Sequence, residues 1–147
     1  MLNLNVVYLN YNLCSMKFYS RKLIKPGDLN ARNTLFGGML LKWIDEEASI
    51  YVMTRLRSKS IVTKIISEVD FISSAEQGNV VEIGLDLIKV GRTSITVACE
   101  VRNLFTKQTI IKLDKIVFVH VDDNEKPTPH NRTMEQIIEE AKSQNYN

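Results

Sequence analysis

The sequence predicts an α+β domain in which an antiparallel sheet wraps around one long central helix. Three observations predict it. The stretch 39–56 is long, rich in apolar residues and free of internal Gly and Pro, and nothing else in the body of the chain is. Four strand-like segments follow it, separated by short turn signals, and strands joined so tightly must run antiparallel. Such a sheet needs apolar cover on one face, and the helix is the only element large enough to supply it.

Each element has its own local reason. Residues 17–25 alternate weakly and stop at Pro26-Gly27-Asp28, a first strand closed by a turn. Residues 28–36 are polar and loop-like, and Gly37-Gly38 then opens the helix. A strand is expected over 61–72, with Ile65, Val69 and Phe71 on one face. Gly78-Asn79 turns the chain into 80–90, where Val81, Ile83, Leu85 and Leu87 share a face. Gly91-Arg92 breaks that run. Residues 93–103 then put Ile95, Val97, Cys99 and Val101 opposite Thr96, Glu100 and Arg102. Residues 109–121 are apolar on both faces near their end, as a buried strand would be. After a polar stretch at 122–129, residues 133–143 form a short amphipathic helix with Thr133 as N-cap and Gln136 three residues on.

The bulk numbers set limits. A chain of 147 residues fits one domain. With 44% hydrophobic and 24% charged residues it has the balance of a globular protein with one core. A net charge of +2 is too small to argue for a nucleic-acid groove, and no apolar run is long enough for a transmembrane helix. Cys14 and Cys99 do not make a disulfide framework, and neither they nor His120 and His130 show metal-ligand spacing. Residues 1–15 are apolar, but no Lys or Arg precedes the apolar part, and Asn3, Asn5, Asn10 and Asn12 interrupt it. They read as a loose leader, with Met16 as an alternative start.

Asp45 stands out within the helix. Its neighbours three and four residues away are Leu41, Ala48 and Ser49, with Val52 a further turn along. An Asp-Glu-Glu run near a helix start is ordinarily explained by the helix dipole. That explanation fits Glu46, which Lys42 precedes by four residues, and fits Asp45 poorly. A carboxylate on an apolar stripe is partly desolvated, which strengthens it as a base. Gly37-Gly38 adds a second feature. Glycine lets a ligand approach the backbone, and free N–H groups at a helix start can polarise a carbonyl oxygen. Taken alone, the pair fits a simple turn equally well.

Together these features are more specific. The segment from Pro26 through Asp28, Asn30 and Phe36-Gly37-Gly38 to Asp45-Glu46 resembles the signature of the acyl-CoA hydrolase group of hotdog-fold thioesterases. Further matches are Ile61-Val62-Thr63 leading to Asp70-Phe71, then Gly91-Arg92-Thr93-Ser94, then Ile116-Val117-Phe118-Val119 running into Asp122-Asp123-Asn124. The resemblance covers residues 17–129. It departs at Asn33-Thr34, where the family usually has Gly and a polar residue, and near Ser74, where it often has Pro. Both departures bear on loop shape and substrate fit.

The resemblance implies a hotdog fold, the sheet-around-helix arrangement reached above. It implies hydrolysis of acyl-CoA thioesters to free coenzyme A and a carboxylic acid. Asp45 matches the catalytic acid, as general base or as nucleophile. Asn30 matches a residue that positions the thioester or the water, and the Gly38 N–H would hold the thioester oxygen. Arg92, Thr93 and Ser94 match a segment that contacts the coenzyme A phosphates, a task suited to the fork of an arginine. Thr63, Gly37 and Phe36 match positions lining the substrate site. No metal or redox cofactor, nucleic acid or membrane is implied. The expected protein is cytoplasmic, a homodimer assembling into a homohexamer as a trimer of dimers, with active sites at the dimer interface. The expected organisation is a leader or disordered segment over 1–16, the hotdog domain over 17–130 and a tail helix over 131–147.

Two rivals are weighed. A hotdog enoyl-CoA hydratase pairs a His with an Asp or Glu, but no His follows Asp28-Leu29-Asn30-Ala31, and both histidines come late. A non-catalytic acyl-CoA binding or sensing module is the alternative from another functional class. The presence of Asp45 together with Asn30 favours an enzyme.

Overall fold

The computed structural model of the chain describes residues 16–143. The expected leader, with Cys14, lies outside the described residues but for Met16. The elements are β1 (Lys17–Leu23), a 3-10 turn (Pro26–Asp28), α1 (Gly37–Leu56), β2 (Ile61–Ile66), β3 (Asp70–Phe71), β4 (Val80–Val90), β5 (Ser94–Asn103), β6 (Thr109–His120) and α2 (Met134–Ser143). All strand pairs are antiparallel, in the order β1-β4-β5-β6-β2, with β3 also on β6. The fold class expected from the sequence is found.

The alternation of β4 and β5 determines where the core sits. Val81, Ile83, Leu85 and Leu87 all face inward, as do Ile95, Val97, Cys99 and Val101. Ile111, Leu113, Ile116 and Phe118 of β6 join them. Against this surface α1 lays Leu40, Trp43, Ile44, Ala48, Val52 and Leu56, spaced as one face of a helix requires. The helix begins at Gly37, two residues before the expected start, because Phe36 rather than a glycine is its N-cap. It ends where Arg57 turns left-handed (φ 53°) and its N–H bonds the Met53 carbonyl.

The strand expected over 61–72 is interrupted. Ile66 opposite Ile116 and Asp70 opposite Lys112 keep a single register, but after Ser67, whose N–H still donates to the Lys115 carbonyl at 2.9 Å, the chain leaves the ladder until Asp70. The Ser67 hydroxyl accepts the Lys115 N–H at 3.2 Å, a side chain standing in for a backbone partner. Of the apolar face expected there, only Val69 packs against the core. Ile65 and Phe71 are 43% and 50% exposed, because β2 and β3 form an uncovered margin of the sheet.

The tail helix has the expected capping box. Gln136 N–H donates to Thr133 Oγ1 at 3.2 Å, and Thr133 N–H donates to Gln136 Oε1 at 3.0 Å. Ile137 buries its side chain in the common core. Glu140 binds Arg132 and Arg57, and these cations hold its carboxyl below the ordinary glutamate range.

Candidate active site

Asp45 sits on the flank of the buried face of α1, half-buried, with Ala48 and Val52 fully enclosed beside it. Its Oδ1 accepts a hydrogen bond of 2.8 Å from the Thr63 hydroxyl on β2. A β-bulge after Thr63 places this contact. Phe118 of β6 lies opposite Thr63 and Val117 opposite Ile65, so Lys64 is the extra residue. Bulges commonly re-aim a side chain next to a functional site. The structure thus brings together two residues that the sequence only aligned with a family pattern.

The entry to α1 is built by the loop before it. Asp28 is buried; its Oδ2 accepts the Lys25 N–H at 2.8 Å and its carbonyl accepts the Phe36 N–H at 2.8 Å. Asp28 therefore sets where the helix starts. Asn30 uses its side chain within the loop. Its Oδ1 accepts the Arg32 and Thr34 N–H groups at 2.9 and 3.2 Å, and its Nδ2 donates to Thr34 Oγ1 at 3.0 Å. No side chain caps the helix, so its first amides are not spent on a capping residue.

Both glycines are fixed by aromatic rings. A Cβ at Gly37 would lie 3.0 Å from the Phe71 ring, and one at Gly38 would lie 2.8 Å from the Phe36 ring. The sequence pointed to ligand approach at these positions; in the protomer the neighbours are Phe71 and Phe36. Beside Gly37 a cavity of about 420 Å³ opens, lined by Asn30, Leu40, Phe71, Ile72 and Ile110 among others. That volume lies in the range of small-molecule sites, and its walls are largely apolar. Asn30 and Gly37 thus share one cleft. Gly38 and Asp45 lie on the same helix, seven residues or about 10 Å of rise apart.

Arg92, Thr93 and Ser94 are not part of that cleft. They form the β4–β5 hairpin, closed by the Gly91 N–H on the Ser94 carbonyl at 2.8 Å. Arg92 is exposed and makes no ion pair among the described residues. The hairpin packs beside His120 and His130, whose rings stand edge to face 6.4 Å apart. They are ten positions apart in sequence, and only the return of the chain past β6 brings them together. Among the described residues no group of three or more His, Cys, Asp or Glu could hold a metal ion, and no helix is long and apolar enough to cross a membrane.

Other titratable groups lie away from this region. Burial alone would raise the Glu82 carboxyl, but hydrogen bonds and charge from Lys107 and Arg102 outweigh it and hold it below the ordinary glutamate range. Burial, with the neighbouring Glu100 charge, pushes the Cys99 thiol up to about 12, so Cys99 is a core residue, as the strand pattern predicts. Burial also raises Asp86, which lines a hollow of about 50 Å³ under α2 with Tyr19 and Tyr51. That hollow holds none of the site residues.

A family model described as the thioesterase superfamily matches residues 32–109. The chain is 34% identical over 118 residues to an uncharacterized acyl-CoA thioester hydrolase of Bacillus subtilis, covering 78% of this chain and 68% of that one. It aligns at TM-score 0.75 and 25% identity with an aspartate-to-alanine mutant of a hexameric broad-specificity acyl-coenzyme A thioesterase, covering 88% of this chain and 97% of that one. Two mutants of an acyl-CoA hydrolase from Staphylococcus aureus match at 25% identity, with TM-scores of 0.65 and 0.66 over 86% of this chain and 86% and 84% of theirs. One replaces an aspartate by alanine. The other replaces an asparagine and is a complex with coenzyme A. The two replaced residues stand as far apart in that chain as Asn30 and Asp45 do in this one.

Proposed function

This chain belongs to the thioesterase superfamily, and from that membership we propose that it hydrolyses acyl-CoA thioesters to coenzyme A and a carboxylic acid. The observation that carries the reading is the half-buried Asp45 carboxylate, held by Thr63 on the flank of an apolar helix face. As general base, Asp45 takes a proton from water while the water oxygen attacks the thioester carbon. As nucleophile it would form an anhydride that water then opens. In either route negative charge develops on the carbonyl oxygen, and a Gly38 N–H contributed by a second copy is the donor that receives it. Collapse of the intermediate breaks the carbon–sulfur bond and releases coenzyme A as its thiol. Arg92 meets the coenzyme A phosphates, and Asn30, Gly37, Phe36 and Thr63 shape the acyl and thioester end.

The active unit in this reading is a homohexamer built from three dimers. Two features support a shared site. The rise of about 10 Å between Gly38 and Asp45 is long for one carbonyl and one water, because attack comes nearly at right angles to the C=O bond. A glycine amide from a second copy removes that mismatch. The uncovered margin bearing Val62, Ile65, Ile66, Phe71 and Ile72 is the apolar surface such a copy would bury. The reading includes a cytoplasmic location, where an acyl-CoA substrate would be met.

The test is a thiol-release assay on purified protein with acyl-CoA substrates from short to long chains. The expected result is release with at least part of the series and none from Asp45→Asn, which stays folded. Saturable acyl-CoA binding with no release by the wild-type protein would instead mark a binding module.

A further inference from the structure

The catalytic reading leaves His120 and His130 without a role, and both lie beyond the residues 32–109 that the family model matches. Their hydrogen bonds converge on one place. Three consecutive carbonyls of the β4–β5 hairpin face N–H groups of this pair, two from the main chain and one from a ring. The Arg92 carbonyl accepts the His130 N–H at 3.3 Å, and the Thr93 carbonyl accepts the His120 N–H at 2.7 Å. The Ser94 carbonyl, already bonded by Gly91, lies 3.4 Å from the His130 ring Nε2.

The ring chemistry of His130 is determined by its partners. Its Nδ1 lies 3.1 Å from the Arg132 N–H, which can only donate, so Nδ1 is the acceptor and carries no proton. The ring proton is then on Nε2, facing the Ser94 carbonyl, which can only accept. His120 is arranged the other way round. Its Nδ1 donates to the Thr128 carbonyl at 3.0 Å and its Nε2 meets the Ser58 hydroxyl at 3.2 Å. One ring therefore ties the hairpin to the chain entering α2, and the other ties β6 to the turn after α1. His130 is buried, whereas the Arg92 side chain beyond it is exposed and unpaired among the described residues. Residue 130 thus holds the hairpin at Arg92 through its main-chain N–H and at Ser94 through its buried ring, and this limits where the Arg92 cation can point.

We propose that His130 is a positioning residue for substrate binding, holding the 91–94 hairpin so that Arg92 is aimed at the phosphates of coenzyme A. The inference rests on the reading that Arg92 meets those phosphates. His130 acts on affinity through Arg92 and does not touch the reacting atoms.

Two variants separate the hydrogen bonds of the ring. His130→Asn keeps an acceptor for the Arg132 N–H but does not reach Ser94. His130→Gln is long enough to place an amide N–H toward the Ser94 carbonyl. Each is assayed with an acyl-CoA and with the same acyl group on pantetheine, which lacks the phosphates. H130N should raise KM for acyl-CoA about fivefold, the effect of one lost positioning hydrogen bond. KM for acyl-pantetheine and kcat on both substrates should hold, and H130Q should restore KM for acyl-CoA toward the wild-type value. A thermal melt checks folding. If H130N does not fold, His130→Phe, which fills the same space without either hydrogen bond, takes its place with the same expectation. Arg92→Ala on the same two substrates keeps the premises apart. If R92A raises both KM values alike, the phosphate reading fails and the inference with it. If R92A discriminates but H130N and H130Q behave alike, or both substrates weaken together, the positioning role of His130 is overturned.

Discussion

The Asp45–Thr63 contact allows a quantitative test of how the site works. Asp45→Asn keeps an oxygen for the Thr63 hydroxyl and almost the same shape, so the fold should hold. It removes the group that accepts the proton or attacks the carbon. General-base catalysis contributes roughly 100- to 10,000-fold, and kcat should fall by at least the lower figure. Thr63→Val removes a 2.8 Å hydrogen bond to a carboxylate while keeping a β-branched side chain on an exposed strand position. A hydrogen bond to a charged group is worth roughly 1.5–3 kcal/mol when fully formed, and solvent at this pair, with Thr63 exposed and Asp45 half-buried, reduces it to about 1 kcal/mol. That corresponds to about a fivefold loss in kcat. Because Thr63 acts through the carboxylate, the two losses should not add. In the D45N background, T63V should change the residual rate less than about twofold. The assay is thiol release at saturating acyl-CoA for the four proteins of the cycle. A T63V loss of equal size in both backgrounds would show that Thr63 works independently of Asp45. Wild-type turnover by D45N would remove the carboxylate from the mechanism.

Gly38→Ala should leave the fold intact while harming activity. The Phe36 ring it displaces is 55% exposed and can swing away, and alanine gains up to about 1 kcal/mol of helix propensity. The melting temperature should hold or rise while kcat/KM drops about tenfold or more as the amides are obstructed; a lower melting temperature with unchanged kcat/KM would contradict this. Glu82→Gln should destabilise the protein by about 2 kcal/mol in urea at neutral pH, because Arg102 and Lys107 lose a buried carboxylate. The Glu82 carboxyl is lowered from its ordinary value of 4.5, so its contribution is complete above that pH and disappears as pH falls through the lower folded value. The gap between wild type and E82Q should therefore close in acid, and a constant gap down to about pH 2 would refute the assignment. Ile65→Lys, on the uncovered sheet margin, should give smaller particles by light scattering and lose thiol release with them. Unchanged size would place the interface elsewhere.

The parts of the fold that were legible in the sequence are those where the protomer alone decides the pattern. In β4, β5 and α1 every inward residue is buried by the chain itself, so the apolar spacing translated directly into faces. The Thr133–Gln136 cap was legible because it is a contact three residues long. The 61–72 segment was misread because most of its apolar residues, Ile65 and Phe71 among them, are not covered within the protomer, and a serine side chain replaces a ladder bond in its middle. In the site, the Asp45–Thr63 bond depends on a bulge, and a one-residue insertion on one strand leaves no mark in composition. The ring of Phe71 over Gly37 joins segments far apart in the chain, and the pairing of His120 with His130 spans an irregular ten-residue return, neither of which periodicity can register.

The setting of Asp45 shows the same division most clearly. Its helical neighbours predict a desolvated carboxylate, yet in the protomer it is only half-buried and faces a strand that is itself exposed. The apolar residues needed to exclude water are nearby, on Val62, Ile65 and Ile66, but nothing within the described residues covers them. An exposed apolar margin of that kind is the surface a second copy would bury in the assembly proposed above. In that proposed assembly the site becomes dry in two instalments. The helix stripe supplies one, and the sheet margin supplies the other when a second copy docks. Activity should then follow the concentration of the assembled species, with specific thiol release falling on dilution as the particle dissociates. Constant specific activity in a fully dissociated protomer would mean that Asp45 does its chemistry in the half-exposed state seen here, and that the second copy contributes nothing to the reaction.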